Sequence, residues 1–244
     1  MDTNDDYVRA LRSDAEHTDA YHKRSVVKSE QQRFLEELVA KKGLVPKRVA
    51  DIACGGGSLT FHLRALYPMA DFTLCDRDPE ALRMARELNG PEGCTYVADD
   101  IHTLAQLPDA SFDLVCCWQT LSWIPDPQRA VEQLMRIAAP GGTVYASSLF
   151  DMVHDVDIRA QLRDHTRASG AQGHWYDYNT FARATVEEWL KESGSKYRLH
   201  PFSIGIDLPR TGKGLGTYTL NTDKGRIQVS GGLLLNWAVL EITK

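Results

Sequence analysis

From residue 49 to residue 149, short apolar runs alternate with amphipathic stretches. Segments 49–53, 71–75, 94–98, 112–117 and 143–149 read as strands, and 58–67, 78–89 and 127–138 as helices. Strands separated by helices of about ten residues call for right-handed crossovers, and therefore for a parallel sheet with helices on both faces. Asp78-Pro79 and Asp126-Pro127 each begin a helix, the aspartate as cap and the proline in the first turn. Upstream, Phe34, Leu35, Leu38 and Val39 recur at helical spacing and predict an amphipathic helix ending at Gly43.

After Phe150 the texture changes. A helical stretch is expected over 155–169, then the polar, aromatic loop GAQGHWYDYNT, then a helix from Thr180 to Ser193. Segments 196–207, 215–221, 226–230 and 233–243 read as extended, with Thr222-Asp223-Lys224-Gly225 as a hairpin turn. No repeat, low-complexity tract or linker divides the 244 residues, so one domain is expected: a helical cap over 1–44, a core over 45–150 and a distinct C-terminal part over 151–244.

The first strand breaks at once into Gly55, Gly56 and Gly57 and opens a helix, which is how an α/β sheet lets backbone approach a nucleotide. The same glycines also suit a plain strand-to-helix turn with no ligand. The following strands narrow the choice. The second ends in Asp76, where a nucleotide-binding sheet sets a carboxylate for the ribose hydroxyls; the third ends in Asp99 and Asp100; the fourth, FDLVCCW, follows the loop LPDAS.

This order resembles the class I methyltransferases that use S-adenosylmethionine. Asp51, Ala53, Gly55 and Gly57 match that family's glycine loop, Asp76 its ribose acid, and Asp100 with Ile101 its adenine site. FDLV at 112–115 and APGG at 139–142, the turn before the fifth strand, match as well. The resemblance implies an α/β, doubly wound, mostly parallel seven-stranded sheet whose last strand is antiparallel, with an N-terminal helical lid and an extra C-terminal β-hairpin. It implies S-adenosylmethionine as cofactor, held by Asp51, Ala53, Cys54, Gly55, Asp76, Arg77, Asp100, Ile101, Cys117 and Trp118. Ala53 departs from the pattern, because the family usually has glycine there and a methyl group narrows the turn.

Two other readings stay open. A nicotinamide-dependent dehydrogenase wants glycine or alanine where this chain has Thr60, and has no use for Asp51 or Asp100. A pyrophosphate favours bare N–H groups and no nearby anion, whereas a sulfonium suits carboxylates. A regulatory module that keeps the pocket without transferring anything is the other.

Methyl transfer from sulfur is an in-line displacement that asks for a nucleophile about 3 Å from the methyl carbon, with no metal and no covalent intermediate. The acceptor belongs beyond the C-terminal strand edge. There, CWQTLSWI at 117–124 offers Trp118, Gln119 and Trp123 as the floor of the donor or acceptor pocket, or as plain core. Enzymes that methylate adenine or protein glutamine carry Asn/Asp-Pro-Pro-Tyr at this point; Cys117-Trp118-Gln119-Thr120 replaces it and disfavours those acceptors. In HWYDYN, Trp175, Tyr176, Tyr178 and Asn179 suit a lid over a polar ring, or else anchor the insertion to the core. Tyr21 either closes over the cofactor or packs its own segment. For a hydroxyl acceptor the candidate bases are His154, His165 and His174, with His154 closest after the fifth strand. Arg210 or Lys213, in RTGKGLG, would meet an anionic substrate; the spacing is not that of a P-loop.

Composition limits the partners. A net charge of −5 gives no basic field for nucleic acid or an anionic membrane, and the short basic clusters read as solvated helix faces. The five cysteines, all between Cys54 and Cys117 with no CxxC pair, fit neither zinc nor a disulfide framework and make a reducing cytoplasm the expected setting. The N-terminus is polar, and no apolar run approaches the ~20 residues a membrane span needs. The expectation is a cytoplasmic monomer or homodimer acting on the oxygen or nitrogen of a small molecule, a sugar or a secondary metabolite.

Overall fold

The computed structural model describes residues 25–163, 165, 175–210 and 215–244, so the expectations for Tyr21, His174 and Lys213 lie outside the described residues. In chain order the elements are Glu30–Lys42 (α1), Arg48–Ile52 (β1), Ser58–Leu66 (α2), Asp71–Asp76 (β2), Pro79–Asn89 (α3), Cys94–Ala98 (β3), Phe112–Trp118 (β4), Pro127–Ile137 (α4) and Ala138–Asp151 (β5). The short strands Gln161–Leu162 (β6), Tyr176–Asp177 (β7) and Phe181–Ala182 (β8) follow, then Arg183–Leu190 (α5) and Lys196–Phe202 (β9). The chain closes with Tyr218–Thr222 (β10), Gly225–Ser230 (β11), Leu233–Leu234 (β12) and Trp237–Thr243 (β13).

The main sheet runs β3-β2-β1-β4-β5-β13-β9, with β8 added to the end of β5. Strands β1 to β5 pair in parallel, while β13 inserts antiparallel between β5 and β9. Leu35, Leu38 and Val39 of α1 pack with Leu59 and Leu63 of α2 on one face of the sheet; Val131 and Leu134 of α4 and Val186 of α5 pack on the other. The doubly wound architecture, the antiparallel last strand and the extra hairpin, β10 with β11 extended by β12, all match the expectation.

Local chemistry explains the element ends. Ser29 caps α1 in a reciprocal capping box with Gln32, and Gly43 ends that helix in the left-handed conformation at φ 66°. Asp78 accepts from the Glu80 N–H at 2.9 Å and Asp126 from the Arg129 N–H at 2.9 Å, as the Asp-Pro pairs required. APGG leaves the ladder: Phe112 pairs with Ala138 and Leu114 with Thr143, so residues 139–142 form a bulge inside β5 and not a turn ahead of it.

One element differs outright. The helix expected over 155–169 is absent among its described residues: Ile158 bridges to Thr180 and Gln161–Leu162 pairs with Tyr176–Asp177. The acids that look like a helix start cap another helix instead. The Ala184 N–H donates to Asp155, and the Ala182 N–H and Thr185 hydroxyl donate to Asp157, supplying acceptors to the start of α5, which has no side-chain cap of its own. The helix itself covers Arg183–Leu190, shorter than the expected 180–193, because Phe181 and Ala182 pair with Phe150 and Asp151.

Candidate functional site

β1 delivers Asp51 and Ile52 to the C-terminal edge of the sheet, and the chain then turns through Ala53 at φ 55°, Gly55 at φ 53° and Gly57 at φ 76°. Gly57 is needed for packing: a β-carbon there would stand 2.6 Å from Asn89 Nδ2 and 3.0 Å from Ala85 Cβ, where α2 meets α3. Ala53 holds the left-handed conformation despite its methyl group, so the departure from glycine leaves the turn intact.

The loop is tied to the neighbouring strand. Asp76, the last residue of β2, accepts from the Gly55 N–H at 2.8 Å and from the Asp78 N–H at 3.0 Å, so backbone on both sides fixes its carboxylate. Each carboxylate oxygen accepts more than one bond, which leaves capacity for ligand hydroxyls. Asp51 is 1% exposed and accepts from the Thr60 hydroxyl at 2.7 Å. Burial pushes its carboxyl up to about 7, with the Thr60 hydroxyl and backbone N–H opposing. Thr60, where a dinucleotide loop wants glycine or alanine, therefore serves Asp51.

Beyond β3, Asp100 accepts from the backbone N–H of His102 and meets that residue's Nδ1, both at 2.7 Å, while Arg77 lies 3.9 Å from the same carboxylate. Ile101 is buried beside them. Cys117 pairs in register with Ile52, which sets Trp118 one step further along, beside Ala53. Asp51, Ala53, Cys54, Gly55, Asp76, Arg77, Asp100, Ile101, Cys117 and Trp118 thus converge on one edge of four adjacent strands. Backbone donors, a fixed carboxylate for a diol and further acids for a positive charge suit an S-adenosyl nucleoside.

Next to this edge is a cleft lined by Gln31 and Phe34 of α1, Trp118, Ser147, Phe202 and Trp237. Phe34 and Phe202 face each other with centroids 5.0 Å apart. Gln119 takes φ 57°, gives its backbone N–H to the Ser147 hydroxyl at 2.9 Å, and gives its side-chain amide to Gln31. A polar residue at this point does find its partner, on the N-terminal helix. The sequence reading missed Gln31, Ser147, Phe202 and Trp237, because strands and a helix far apart in the chain bring them together.

Other candidates lie elsewhere. Trp123 stacks on Tyr176 at 5.9 Å and packs on Tyr178 at 4.6 Å, and both tyrosines are buried. Asn179 is buried, donates its backbone N–H to the Ser122 carbonyl and accepts from the Ala160 N–H. Trp123 packs with the core, and Tyr176, Tyr178 and Asn179 follow the anchoring alternative of the two readings, while Trp175 stays half exposed. His154 lies just past β5, largely exposed, with Nδ1 3.4 Å from Asp151. Burial raises the Asp151 carboxyl, but the backbone N–H groups of His154 and Val153 together with the imidazole outweigh it, and the net shift is downward. His165 is exposed. Arg210 rests over the Tyr218 ring at 5.5 Å.

A family model described as a methyltransferase domain matches residues 50–146. A ubiquinone biosynthesis O-methyltransferase of Pectobacterium carotovorum is 34% identical over 110 residues, 44% of this chain and 45% of that protein. One of the same name from Paraburkholderia phymatum is 39% identical over 108 residues, 43% of this chain and 46% of that protein. The matched region spans less than half the length of these curated relatives. Among solved structures, a chain in the complex between the Haloferax volcanii Trm112 methyltransferase activator and the putative methyltransferase aligns with TM-score 0.61 at 16% identity, over 99% of this chain and 96% of that one. The 1,6-didemethyltoxoflavin-N1-methyltransferase of Burkholderia thailandensis aligns with TM-score 0.55 at 18% identity, over 98% and 88% of the two chains. At such identities the likeness is one of fold.

Proposed function

We propose, from the match of residues 50–146 to a methyltransferase-domain family model and from the geometry of the strand ends, that the chain is a class I, S-adenosylmethionine-dependent methyltransferase that transfers a methyl group to an oxygen or nitrogen of a small molecule, a sugar or a secondary metabolite. The observation that carries the reading is the set of acids Asp51, Asp76 and Asp100, ranged along adjacent strand ends around a left-handed loop. In this reading the segment up to 44 caps a core over 45–150, and 151–244 shapes the acceptor side of one domain. The setting is the cytoplasm. Among the described residues no helix is long and apolar enough to cross a membrane.

The donor, when bound, supplies a methyl group on a positively charged sulfur for in-line displacement. Asp76 would hold the ribose hydroxyls, with Arg77 beside it, and Gly55 and Cys54 would offer backbone. Asp100 and Ile101 would border the adenine, and Asp51 lies buried beneath the loop with its carboxyl raised to about 7, where a bound cation would favour its ionised form. Ala53, Cys117 and Trp118 shape the end nearest the transferred group. At the acceptor, Gln119 presents an amide next to the cleft. For a hydroxyl acceptor the candidate base is His154, exposed just past β5 with Nδ1 turned to Asp151, whose Nε2 would take the proton of a substrate that extends beyond the cleft. The curated relatives carry an O-methyltransferase name, which supports oxygen as the accepting atom.

Incubation with methyl-labelled S-adenosylmethionine and a small-molecule extract tests this, with mass spectrometry following the label. Label in a discrete small product, reduced about a hundredfold by His154→Ala, is expected if a base takes the proton. Binding of the donor with label in no product would favour a regulatory module.

A further inference from the structure

We propose, resting on the donor assignment above, that His102 is a positioning residue for nucleobase recognition: it holds one oxygen of Asp100 and leaves the other as the acceptor for the exocyclic amine of the donor's purine. Two acids follow β3, and their hydrogen bonds separate them. Asp99 commits both oxygens inside its own loop, Oδ1 to the Asp100 N–H at 2.8 Å and the Thr103 hydroxyl at 3.4 Å, Oδ2 to the Gln106 N–H at 2.7 Å. Asp100 engages Oδ1 alone. That oxygen accepts from the backbone N–H of His102 and meets the imidazole Nδ1, both at 2.7 Å. Two acceptors would repel, so the tautomer that fits carries its proton on Nδ1. The other ring nitrogen, Nε2, is buried without a partner, so it has no route to a ligand and the ring acts only through Asp100.

The arrangement sits beside the assigned ribose acid. The Asp99 N–H donates to the Asp76 carbonyl at 3.3 Å, which sets Asp100 one residue further along adjacent strand ends. The Asp100 side chain is 41% exposed and that of His102 19%, so the carboxylate is open to a ligand while the residue that orients it is largely covered. Oδ2 has Arg77 at 3.9 Å, too far for a hydrogen bond, and keeps its lone pairs. The turn is braced from two sides: the Thr103 and Leu104 N–H groups donate to the Asp100 carbonyl at 3.0 and 2.8 Å, and Nε of Arg129, on α4, reaches the His102 carbonyl at 3.3 Å. With Oδ1 held by two donors, rotating the carboxylate breaks both bonds. A fixed oxygen that only accepts binds an amino group and repels a carbonyl, so it separates an amino purine from an oxo purine.

Calorimetry on the full chain tests this by comparing S-adenosylhomocysteine with S-inosylhomocysteine, in which a carbonyl replaces the amine, in the wild type, His102→Asn and His102→Leu. Asparagine carries an amide nitrogen where histidine has Nδ1; leucine has the same branching and no donor. The wild type is expected to prefer the adenosyl compound about thirtyfold, the asparagine variant to keep that preference within about twofold, and the leucine variant to lose about fivefold of it. In an Asp100→Ala background the preference should be largely gone, and His102→Leu should change it no further. Each ratio is taken within one variant, so a general weakening of the fold moves both ligands alike and leaves it unchanged. A leucine variant with the wild-type ratio, an asparagine variant that loses it as leucine does, or a further change in the Asp100→Ala background would overturn the proposal. So would a wild type that binds both compounds equally; in that case the donor site stands and Asp100 does not read the base. A wild type that binds neither sinks the donor assignment, and the proposal with it.

Discussion

Asp51 shows how a single residue combines fold and site. Burial pushes its carboxyl up to about 7, whereas in the unfolded chain an aspartate ionises near ~3.9. Between those values the folded chain holds a proton that the unfolded chain has lost. The stability this group contributes is therefore fully present below about pH 4 and is lost as pH rises towards about 7. Asp51→Asn keeps an oxygen for the Thr60 hydroxyl and cannot ionise. Thermal melts of variant and wild type from about pH 4 to about pH 8 should show their midpoint difference moving several degrees in the variant's favour as pH rises. A difference that stays flat would mean that Asp51 is ionised across the whole range. The sequence marks this residue as a loop acid, but its burial comes with its place between Leu74 of β2 and Cys116 of β4, pairings that no local pattern reveals.

At the scale of elements, the loop from Ala53 to Gly57 contains three left-handed positions, two of which make opposite demands. Gly57 has no room for a β-carbon against Asn89 and Ala85, while Ala53 already carries one at φ 55°. Gly57→Ala should lower the melting midpoint, at a cost of about 2 kcal/mol or more from crowding and backbone strain together. Ala53→Gly should raise it slightly, since relief of about 1 kcal/mol of strain exceeds the added unfolded-state entropy by a small margin. Equal losses in the two variants would contradict the assignment of strain. The same scale decides what was legible. Strands and helices from β1 to β5 follow from alternating patterns closed by Asp-Pro caps and glycines, all of them local signals. The segment 155–163 misleads because Asp155 and Asp157 cap α5 from outside, so a helix-start composition belongs to a helix 25 to 29 residues downstream. In HWYDYN, composition cannot separate a lid from an anchor; what decides is Trp123, which meets both tyrosines.

For the whole molecule, the sheet order β3-β2-β1-β4-β5-β13-β9 lines up the residues proposed for the donor and the cleft beside Trp118 along one edge. The acids at or just past the ends of β1, β2 and β3 were readable because each closes a short apolar run. The cleft was not, because Trp237 comes to the same cleft as Trp118 only through β13 inserting beside β5, a pairing between residues far apart in the chain. The cleft takes its walls from both ends of the chain, with Gln31 near one and Trp237 near the other.

Isothermal titration calorimetry of the purified chain with S-adenosylhomocysteine tests the central assignment most directly, with Asp76→Asn as the comparison. Asparagine keeps an acceptor for the Gly55 N–H and gives up the bond from the Asp78 N–H, so the glycine loop stays tied to β2 while the charge is lost. The account predicts saturable one-to-one binding to the wild type, weakened about tenfold or more in the variant, the loss expected for a charge-assisted hydrogen bond. No heat with the wild type, or equal affinity in the folded variant, would contradict it.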